Sequence, residues 1–252
     1  MNNRMARNMN SNNDSNYYPR TDSIALKVEN ISKVYNSPVS KVVSLRRVNF
    51  SVSKGEFVSI VGPSGSGKTT LLNIIGALDR PTSGNVFING IDIFSLNDSQ
   101  LASLRNNTIG FIFQSYNLIN RTTILKNVEF PGITNGMSDG DRRRRALKIL
   151  SFLGIMDKAK FKPANLSGGQ QQRVAIARAL MNNPKIILAD EPTGNLDTKT
   201  GKEVFGLLRL LSNRFRRTII MVTHNPELAG ASDRSIYIRD GAIEKEVINF
   251  EG

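Results

Sequence analysis

Residues 57–69 read FVSIVGPSGSGKT, a short apolar run that leads directly into a glycine-rich loop. The run, residues 57–61, is almost wholly apolar, as a strand buried on both faces of a sheet would be. The loop, residues 62–69, fits G-x-x-x-x-G-K-[ST], and a helical spacing of apolar residues begins at Lys68. A buried strand, such a loop and a helix in this order predict backbone N–H groups that cradle phosphate oxygens.

Two side chains of this loop have chemistry of their own. At these positions Lys68 is expected to reach the β- and γ-phosphates of a nucleotide, and the hydroxyl of Thr69 to ligate magnesium. The alternative is a glycine-rich turn that happens to precede a helix. Because the loop follows a buried strand, phosphate binding is the favoured interpretation.

Two carboxylates follow a second apolar run, residues 186–189. A carboxylate at the C-terminal end of a central strand faces the ligand crevice of an open α/β sheet. We expect Asp190 to hold magnesium through water and Glu191 to polarise the attacking water as a general base. The alternative is an ordinary helix N-cap in which Pro192 starts the next turn. Next to a phosphate loop, the catalytic interpretation is favoured.

Apolar runs alternate with helical patterns over most of the chain, which predicts an α/β fold with a mostly parallel sheet and helices on both faces. We expect one domain over residues 23–252, interrupted by a mostly helical insertion over about 96–163. Residues 1–22 are polar and rich in asparagine, so we predict a disordered tail. The predicted strands are residues 24–28, 48–52, 57–61, 186–189, 218–222 and 235–238.

One helix of the insertion has a clear start and a clear buried face. Asp139 is expected to cap it at the N-terminus. Four apolar residues then follow at helical spacing and form one stripe: Ala146, Ile149, Leu150 and Leu153.

Composition excludes several classes of protein. The 252 residues include no cysteine and one histidine, which excludes disulfides, thiol catalysis and multi-histidine metal sites. No apolar stretch approaches the roughly 18 residues that span a bilayer, so an integral membrane protein is not expected. The first residues lack the apolar core of a secretory signal. The 34 Lys and Arg residues outnumber the 21 Asp and Glu residues, which favours nucleotides, nucleic acid or an anionic membrane as partners.

Part of this positive charge is clustered. Residues 142–145 are four consecutive arginines, and Arg214, Arg216 and Arg217 lie close together just before a predicted strand. A solvated helix face is the favoured interpretation. Contact with anionic lipid or with an acidic loop of a partner is the second, and nucleic-acid binding is the third.

A third motif precedes a strong helical pattern at residues 174–181. Ser167, Gly168 and Gly169 place exposed N–H groups at a helix start, which is an anion site. This motif can contact the phosphate bound at residues 62–69 only if the fold places the two motifs next to each other. Otherwise it can contact a phosphate held by another copy of the chain. The alternative is an ordinary serine N-cap followed by flexible glycines.

Taken together, these motifs resemble those of the ATP-binding cassette (ABC) ATPases, over about residues 24–246. Six motifs carry the resemblance in the family's order: residues 62–69; Gln114 in FIFQ, 111–114; LSGGQ, 166–170; Asp190 with Glu191; NLD, 195–197; and His224 in MVTH, 221–224. The resemblance implies a RecA-like P-loop NTPase core with an antiparallel β flank and an inserted helical subdomain.

The resemblance also implies ATP and Mg²⁺ as cofactors. It implies that Glu191, His224 and Lys68 are catalytic residues. It also implies that Thr69, Gln114 and Asp190 form the magnesium site. The nucleotide-binding set it implies is Tyr35, Gly62, Pro63, Ser64, Gly65, Ser66, Gly67, Lys68, Thr69, Thr70, Gln114, Ser167, Gly168, Gly169, Gln170 and Asp197.

Three of these residues have specific roles in the family. Tyr35 is expected to stack on adenine, although a core tyrosine at a strand end is the alternative. Gln114 is expected to sense the γ-phosphate and magnesium and to link the core to the helical subdomain. His224 is expected to contact the γ-phosphate and Glu191.

The implied mechanism uses two copies paired head to tail with two-fold symmetry. Each ATP lies between the phosphate loop of one copy and residues 167–169 of the other, and hydrolysis releases the interface. The implied partners are therefore a second cassette and an integral membrane permease. The expected location is the cytoplasmic face of the membrane, as a peripheral subunit, with no direct nucleic-acid contact and no covalent cofactor.

Details of sequence narrow the resemblance to the lipoprotein-release, macrolide-export and cell-division group. Residues 62–84, 127–131 and 191–197 carry it. In that group the ATPase is often a separate subunit, paired with a membrane protein of few helices that moves an extracytoplasmic domain. Two features depart from the pattern: Phe161 stands where the group often has a histidine, and the N-terminal tail is long.

Three functions remain open from the sequence. The favoured one is the energy-coupling subunit of a membrane transporter, an exporter in particular. The second is a regulatory or mechanical ATPase that signals through a membrane partner without transport. The third is a soluble ATPase acting on nucleic acid, for which the net charge of +13 is the sole support. A single cassette without heptad repeats disfavours this third function.

Overall fold

The structure is a computed structural model that describes residues 24–36 and 40–249. Within these residues the strands form two sheets. Val, Ile and Phe, which suit a pleated and half-buried surface, are frequent in them. The strands are β1 Ile24–Asn36, β2 Lys41–Ser53, β3 Phe57–Val61, β4 Ser83–Ile88, β5 Ile91–Asp92, β6 Ile109–Phe113, β7 Ile186–Asp190, β8 Thr218–Thr223, β9 Arg234–Arg239 and β10 Ala242–Ile248.

Several helices start where a side chain accepts a hydrogen bond from the backbone N–H three residues later, which satisfies one of the open donors of the first turn. These N-caps are Asn97, Thr123, Ser138, Ser167 and Asp197. The helices are α1 Lys68–Ile75, α2 Asp98–Thr108, α3 Ile124–Thr134, α4 Asp139–Phe152, α5 Gly168–Ala179, α6 Thr198–Phe215 and α7 Pro226–Gly230. In the part of the chain that the structure describes, none of them is long and apolar enough to cross a membrane.

The larger sheet has the strand order β10-β9-β3-β8-β7-β6. Its strands from β9 to β6 pair in parallel, and β10 pairs antiparallel with β9. All residues of β3 and β8 are buried, because helices and the smaller sheet cover both faces. The carboxyl ends of β3, β6, β7 and β8 therefore meet at one edge of this sheet.

The smaller sheet is antiparallel, with the order β2-β1-β4-β5. Leu26 of β1 faces Val52 of β2, and both are buried. They share a core with Ile60 of β3 and Ile75 of α1, so this sheet and α1 cover one face of the larger sheet. This arrangement confirms the α/β fold with an antiparallel β flank.

A second core lies on the opposite face of the larger sheet. Ile187 of β7 and Met221 of β8 pack there with Val128 of α3, Leu150 of α4 and Ile176 of α5. Alternate residues of the same strands thus point into two different cores. The helices α3, α4 and α5 are attached to the sheet by this second core.

The expected helical insertion over residues 96–163 is wrong in one respect. It contains β6, whose residues pair in parallel with β7, so this stretch belongs to the larger sheet. The sequence pattern did not predict β6, because a run of five apolar residues flanked by helices does not distinguish a strand from a helix. The helix α5 also packs against α3 and α4, so the helical part continues beyond residue 163.

The predictions for the strands, for the cap of α4 and for the N-terminal tail had different outcomes. The six predicted strands lie within β1, β2, β3, β7, β8 and β9. The cap of α4 is Ser138 and not Asp139, because the Ser138 hydroxyl accepts from the N–H of Asp141. The predicted disordered tail, residues 1–22, lies outside the described residues.

Candidate functional site

The loop between β3 and α1 is shaped by glycines at two points of close approach. At Gly62, a Cβ atom would lie 2.1 Å from the carbonyl oxygen of Ile238. Gly67, which precedes α1, has a φ of 99°, and a Cβ there would lie 2.4 Å from the carbonyl oxygen of Ser44. Only glycine fits these positions without displacing backbone, so the loop holds the curled form that a phosphate cradle requires.

Lys68 is the first residue of α1, and 8% of its surface is exposed. Its Nζ donates hydrogen bonds to the carbonyl oxygens of Gly62, at 2.8 Å, and Pro63, at 2.7 Å. The ammonium group is therefore held within the loop itself, at the positive N-terminal end of the helix. The charge of this ammonium group and the partial positive charge of the helix N-terminus both favour binding of an anion at this point.

Thr69 and Asp190 connect the loop to the end of β7. The Thr69 hydroxyl lies 3.3 Å from Oδ1 of Asp190. Burial, helped by the negative charge of Glu191, raises the pKa of Asp190. The hydrogen bond from Thr69 and the positive charge of Lys68 lower this pKa but do not outweigh burial. A hydroxyl and a carboxylate are the oxygen ligands that magnesium prefers.

Glu191 and His224 face each other from the ends of neighbouring strands. His224 Nδ1 lies 2.9 Å from Glu191 Oε1. Glu191 has a φ of 45°, in the left-handed region that a residue with a Cβ adopts at a cost. Its N–H donates to the carbonyl oxygen of Val222, and its own carbonyl accepts from Gly194 N–H, both at 3.0 Å. Strained backbone of this kind clusters at active sites, where the surrounding structure enforces it.

Gln114 follows β6 directly. Its Nε2 lies 3.3 Å from Oδ1 of Asn195, and Asn195 Nδ2 donates to the Gln114 carbonyl oxygen at 3.0 Å. The segment after Gln114 is also tied to α5, because Arg178 donates to the carbonyl oxygens of Tyr116, at 2.8 Å, and Asn117. Nothing in the sequence pattern singled out Arg178, since arginine near the end of a helix is common.

Lys68, Thr69, Gln114, Glu191 and His224 line one open pocket of about 420 Å³. Gly62, Pro63, Ser66 and Asp190 are not among the described residues that line it. Ser44 of β2 also lines it and donates to the Thr70 hydroxyl at 2.9 Å, and no motif in the sequence indicated this residue. The pocket is lined by Ser44, Ser64, Gly65, Gly67, Lys68, Thr69, Thr70, Gln114, Glu191, Val222 and His224.

Tyr35 is not among the residues that line this pocket within the described part of the chain. Its hydroxyl donates to Oδ2 of Asp79 at 2.8 Å, and the ammonium of Lys33 lies 4.7 Å from its ring centroid. The ring remains 43% exposed. Tyr35 is thus a surface side chain held in place by Asp79, and the alternative of a core tyrosine is wrong.

The motif at residues 166–170 also lies outside the pocket of its own chain, as far as the described residues show. Ser167 caps α5, and Ser167 and Gln170 exchange hydrogen bonds between side chain and backbone in a capping box. A Cβ at Gly169 would lie 2.3 Å from the Thr200 methyl, and Asp197 caps α6 beside it by bonding Thr200. Ser167, Gly168, Gly169, Gln170 and Asp197 therefore form a second, separate cluster.

Comparison with known proteins identifies the family. The family model described as "ABC transporter" matches residues 45–194. The uncharacterized ABC transporter ATP-binding protein YvrO of Bacillus subtilis is 51% identical over 86% of this chain and 95% of its own length. The macrolide export ATP-binding/permease protein MacB of Vibrio parahaemolyticus is 46% identical over 90% of this chain and 35% of its own length.

A solved structure agrees with the fold. The dimeric post-hydrolysis structure of the ATP-binding cassette MJ0796, bound to ADP and Pi, superposes with a TM-score of 0.84 at 47% identity, covering 90% of this chain and 100% of that one. The MJ0796 protein of Methanocaldococcus jannaschii is described as an ABC transporter ATP-binding protein. The phosphate loop, the acidic pair after β7 and these relatives lead to one conclusion: the chain belongs to the ABC transporter family, as an ATP-binding cassette that hydrolyses ATP.

Proposed function

We propose that two copies of this chain pair head to tail around two ATP molecules and power an exporter through a separate membrane permease. The observation that carries the pairing is that Ser167, Gly168 and Gly169 are not among the residues that line the pocket of their own chain, as far as the described residues show. A helix start binds anions through its open N–H groups, and a phosphate held by a second copy would supply such an anion. The solved structures of the cassette MJ0796 are dimeric, which supports pairing of two copies.

In this proposal each side chain has one task at the nucleotide. Residues 62–70 hold the β- and γ-phosphates, with Lys68 as their counter-charge. Ser167, Gly168, Gly169 and Gln170 complete the site of the opposite copy, and Asp197 lies at the edge of that interface. The exposed ring of Tyr35 stacks on adenine.

The residues also fit a magnesium ion. No group of three or more His, Cys, Asp or Glu side chains within residues 24–36 and 40–249 is arranged to hold a metal by itself. Magnesium is commonly held by one or two protein oxygens plus substrate phosphates, and Thr69, Asp190 and the amide oxygen of Gln114 are such oxygens. When bound, the ion neutralises charge on the phosphates.

Glu191 is the proposed general base. Its carboxylate accepts a proton from water as the water oxygen bonds to the γ-phosphorus, and the bond to the leaving oxygen of ADP breaks. His224 holds that carboxylate in place and contacts the γ-phosphate. Positioning and electrostatic stabilisation supply most of the rate enhancement in such reactions.

The names of the relatives support the proposed membrane partner and location. YvrO, of which 95% is matched, is named an ATP-binding protein, whereas MacB joins an ATP-binding part and a permease in one chain. We infer that this chain works with a permease at the cytoplasmic face of the membrane. Export is the favoured direction because MacB is a macrolide exporter by name.

The experiment that tests this proposal uses Glu191→Gln, which keeps the shape of the side chain and removes the base. Turnover should fall by about 10²- to 10⁴-fold, the usual contribution of a general base, while ATP binding persists. The variant, expressed in its own host and extracted in mild detergent with ATP, should co-purify with a permease at a fixed ratio. Parent-like ATP hydrolysis by the variant would refute the role of Glu191. Ribosomes or DNA in place of a membrane protein would refute the transporter.

A further inference from the structure

The fold brings the two basic clusters of the sequence to one loop. Arg145 of α4 donates from Nε to the carbonyl oxygen of Met181. Arg217, just before β8, donates from Nη1 to the carbonyl oxygen of Pro184 at 2.9 Å and from Nη2 to Oδ1 of Asn183. Two guanidinium groups that are distant in sequence therefore hold the same connection between α5 and β7.

No acidic side chain in the described part of the chain neutralises these two groups. Within the residues that the structure describes, neither Arg145 nor Arg217 forms an ion pair, and their hydrogen bonds go to uncharged oxygens. Burial lowers the pKa of Arg217, and the charge of Arg145 lowers it further. Two like charges held close together without a counter-charge create a positive potential that an anion relieves.

An exposed aromatic pair lies on the same elements. Phe152 ends α4 and Phe215 ends α6; their ring centroids are 5.4 Å apart with the planes at 85°. Each ring is 42% exposed. An edge-to-face pair covers part of its own ring surface, so it offers an apolar projection more than a flat platform for stacking successive nucleotide bases.

Two more basic side chains border these rings. Lys148 lies on α4 between Arg145 and Phe152, at spacings of three and four residues that place all three on one helix face. Arg214 precedes Phe215. Both are exposed, and the described residues show no hydrogen bond or ion pair to either side chain.

We propose that this face, made of Arg145, Lys148, Phe152, Arg214, Phe215 and Arg217, rests on an anionic phospholipid surface. The basic side chains meet lipid phosphates, and the two phenyl rings enter the boundary between headgroups and acyl chains. Surfaces that combine basic side chains with exposed phenyl rings are suited to that boundary. This inference goes beyond the proposed function, because the cassette touches lipid by itself, without the permease.

The test is flotation of the purified full-length chain with lipid vesicles. We expect binding to phosphatidylglycerol vesicles and none to phosphatidylcholine vesicles, and weaker binding as salt shortens the range of the charges. Lys148→Gln with Arg214→Gln should weaken the partitioning by about 30-fold, since each basic residue near an anionic surface contributes roughly a factor of five. Phe152→Ser with Phe215→Ser should weaken it as well, without a change of charge.

The matched control is Arg239→Gln with Lys245→Gln, which removes the same charge from β9 and β10 at the far edge of the larger sheet. It should change partitioning less than twofold. ATP hydrolysis without vesicles shows that each variant is folded, and it is independent of the proposed lipid contact. Failure to bind vesicles therefore leaves the proposed ATPase and its permease intact.

Failure to bind phosphatidylglycerol vesicles would overturn the proposal, and so would three other results. One is an equal loss in the control, which would assign binding to net charge alone. Another is equal binding to neutral vesicles. The third is a single-stranded oligonucleotide that binds at physiological salt and displaces the vesicles, which would make nucleic acid the partner of this face.

Discussion

His224 Nδ1 lies 2.9 Å from Glu191 Oε1, and the two residues follow neighbouring parallel strands. The Glu191 side chain is 15% exposed and the His224 side chain is 69% exposed. The carboxylate is therefore sheltered at the pocket wall while the imidazole remains open to solvent and to a nucleotide. In this arrangement His224 can hold the carboxylate of Glu191, the proposed base, in position and can still contact the γ-phosphate.

The first prediction concerns this pair. His224→Ala removes the contact that orients the carboxylate of Glu191, so turnover should fall by about 10²-fold, within the range for a misplaced general base. ATP affinity should change less, because the residues of the phosphate loop remain. Steady-state ATP hydrolysis and equilibrium nucleotide binding measure the two effects separately. Unchanged turnover would show that Glu191 needs no orientation by His224.

The second prediction concerns Asn127, which is fully buried at the start of α3. Its Oδ1 accepts from Ile119 N–H at 2.7 Å, and its Nδ2 donates to Ile119 O, Thr122 Oγ1 and Thr123 O at 3.0–3.1 Å. Asn127→Ala removes these hydrogen bonds and leaves the N–H of Ile119 without its side-chain partner, so the free energy of unfolding should fall by about 1–3 kcal/mol. Urea denaturation measures this loss.

Asn107→Ala is the matched control for Asn127, because Asn107 is exposed and its side chain bonds only Ser103 among the described residues. Its free energy of unfolding should stay within about 0.5 kcal/mol of the parent. Equal effects of the two substitutions would show that the buried hydrogen bonds of Asn127 contribute no more than a surface contact.

The third prediction is a pH dependence at Asp79. Burial opposes its ionisation, but hydrogen bonds from Lys33, Tyr35 and the N–H of Arg80 outweigh it and lower the pKa of Asp79. A carboxyl with a lowered folded-state pKa contributes stability above its unfolded-state pKa, near 4, and loses it as pH falls through the folded-state value. Asp79→Asn should therefore lower Tm at pH 7.

Thermal unfolding of parent and Asp79→Asn across pH measures this contribution. The difference in Tm should be constant from pH 7 down to about 5 and should shrink below about 4, where the parent loses its charge. A difference that stays the same down to pH 3 would mean that the ionised carboxylate is not what holds Lys33 and Tyr35.

Local patterns were sufficient to predict the elements next to the phosphate loop. The apolar run 57–61 became β3 with those bounds, and the helix began at Lys68 as expected. The strand β6 was missed, because its five residues carry no period that separates a strand from a helix. Its place in the larger sheet depends on pairing with β7, and that pairing joins residues far apart in the chain.

The residues of the candidate site also divide into those that local sequence patterns predict and those that they do not. Lys68, Asp190 and Glu191 were predictable because their chemistry follows from a loop or a strand end that is local in sequence. Ser44 and Arg178 were not, because each acts through a partner on another element, the Thr70 hydroxyl for one and the carbonyl of Tyr116 for the other. A hydrogen bond across elements leaves no spacing in the sequence.

The sequence by itself determined the phosphate loop, the acidic pair after β7 and the helix start at Ser167, since each requires only a few neighbouring residues with a given backbone preference. The family resemblance implied that Glu191 contacts His224 and that Ser167 serves another copy, and the tertiary structure gave these expectations their geometry. Only the tertiary structure decided that Arg145 and Arg217 hold one loop and that Ser44 and Thr70 meet at the pocket. The physical reason is that these relationships depend on the order of parallel strands and on two cores. Both are set by burial of side chains from distant parts of the chain.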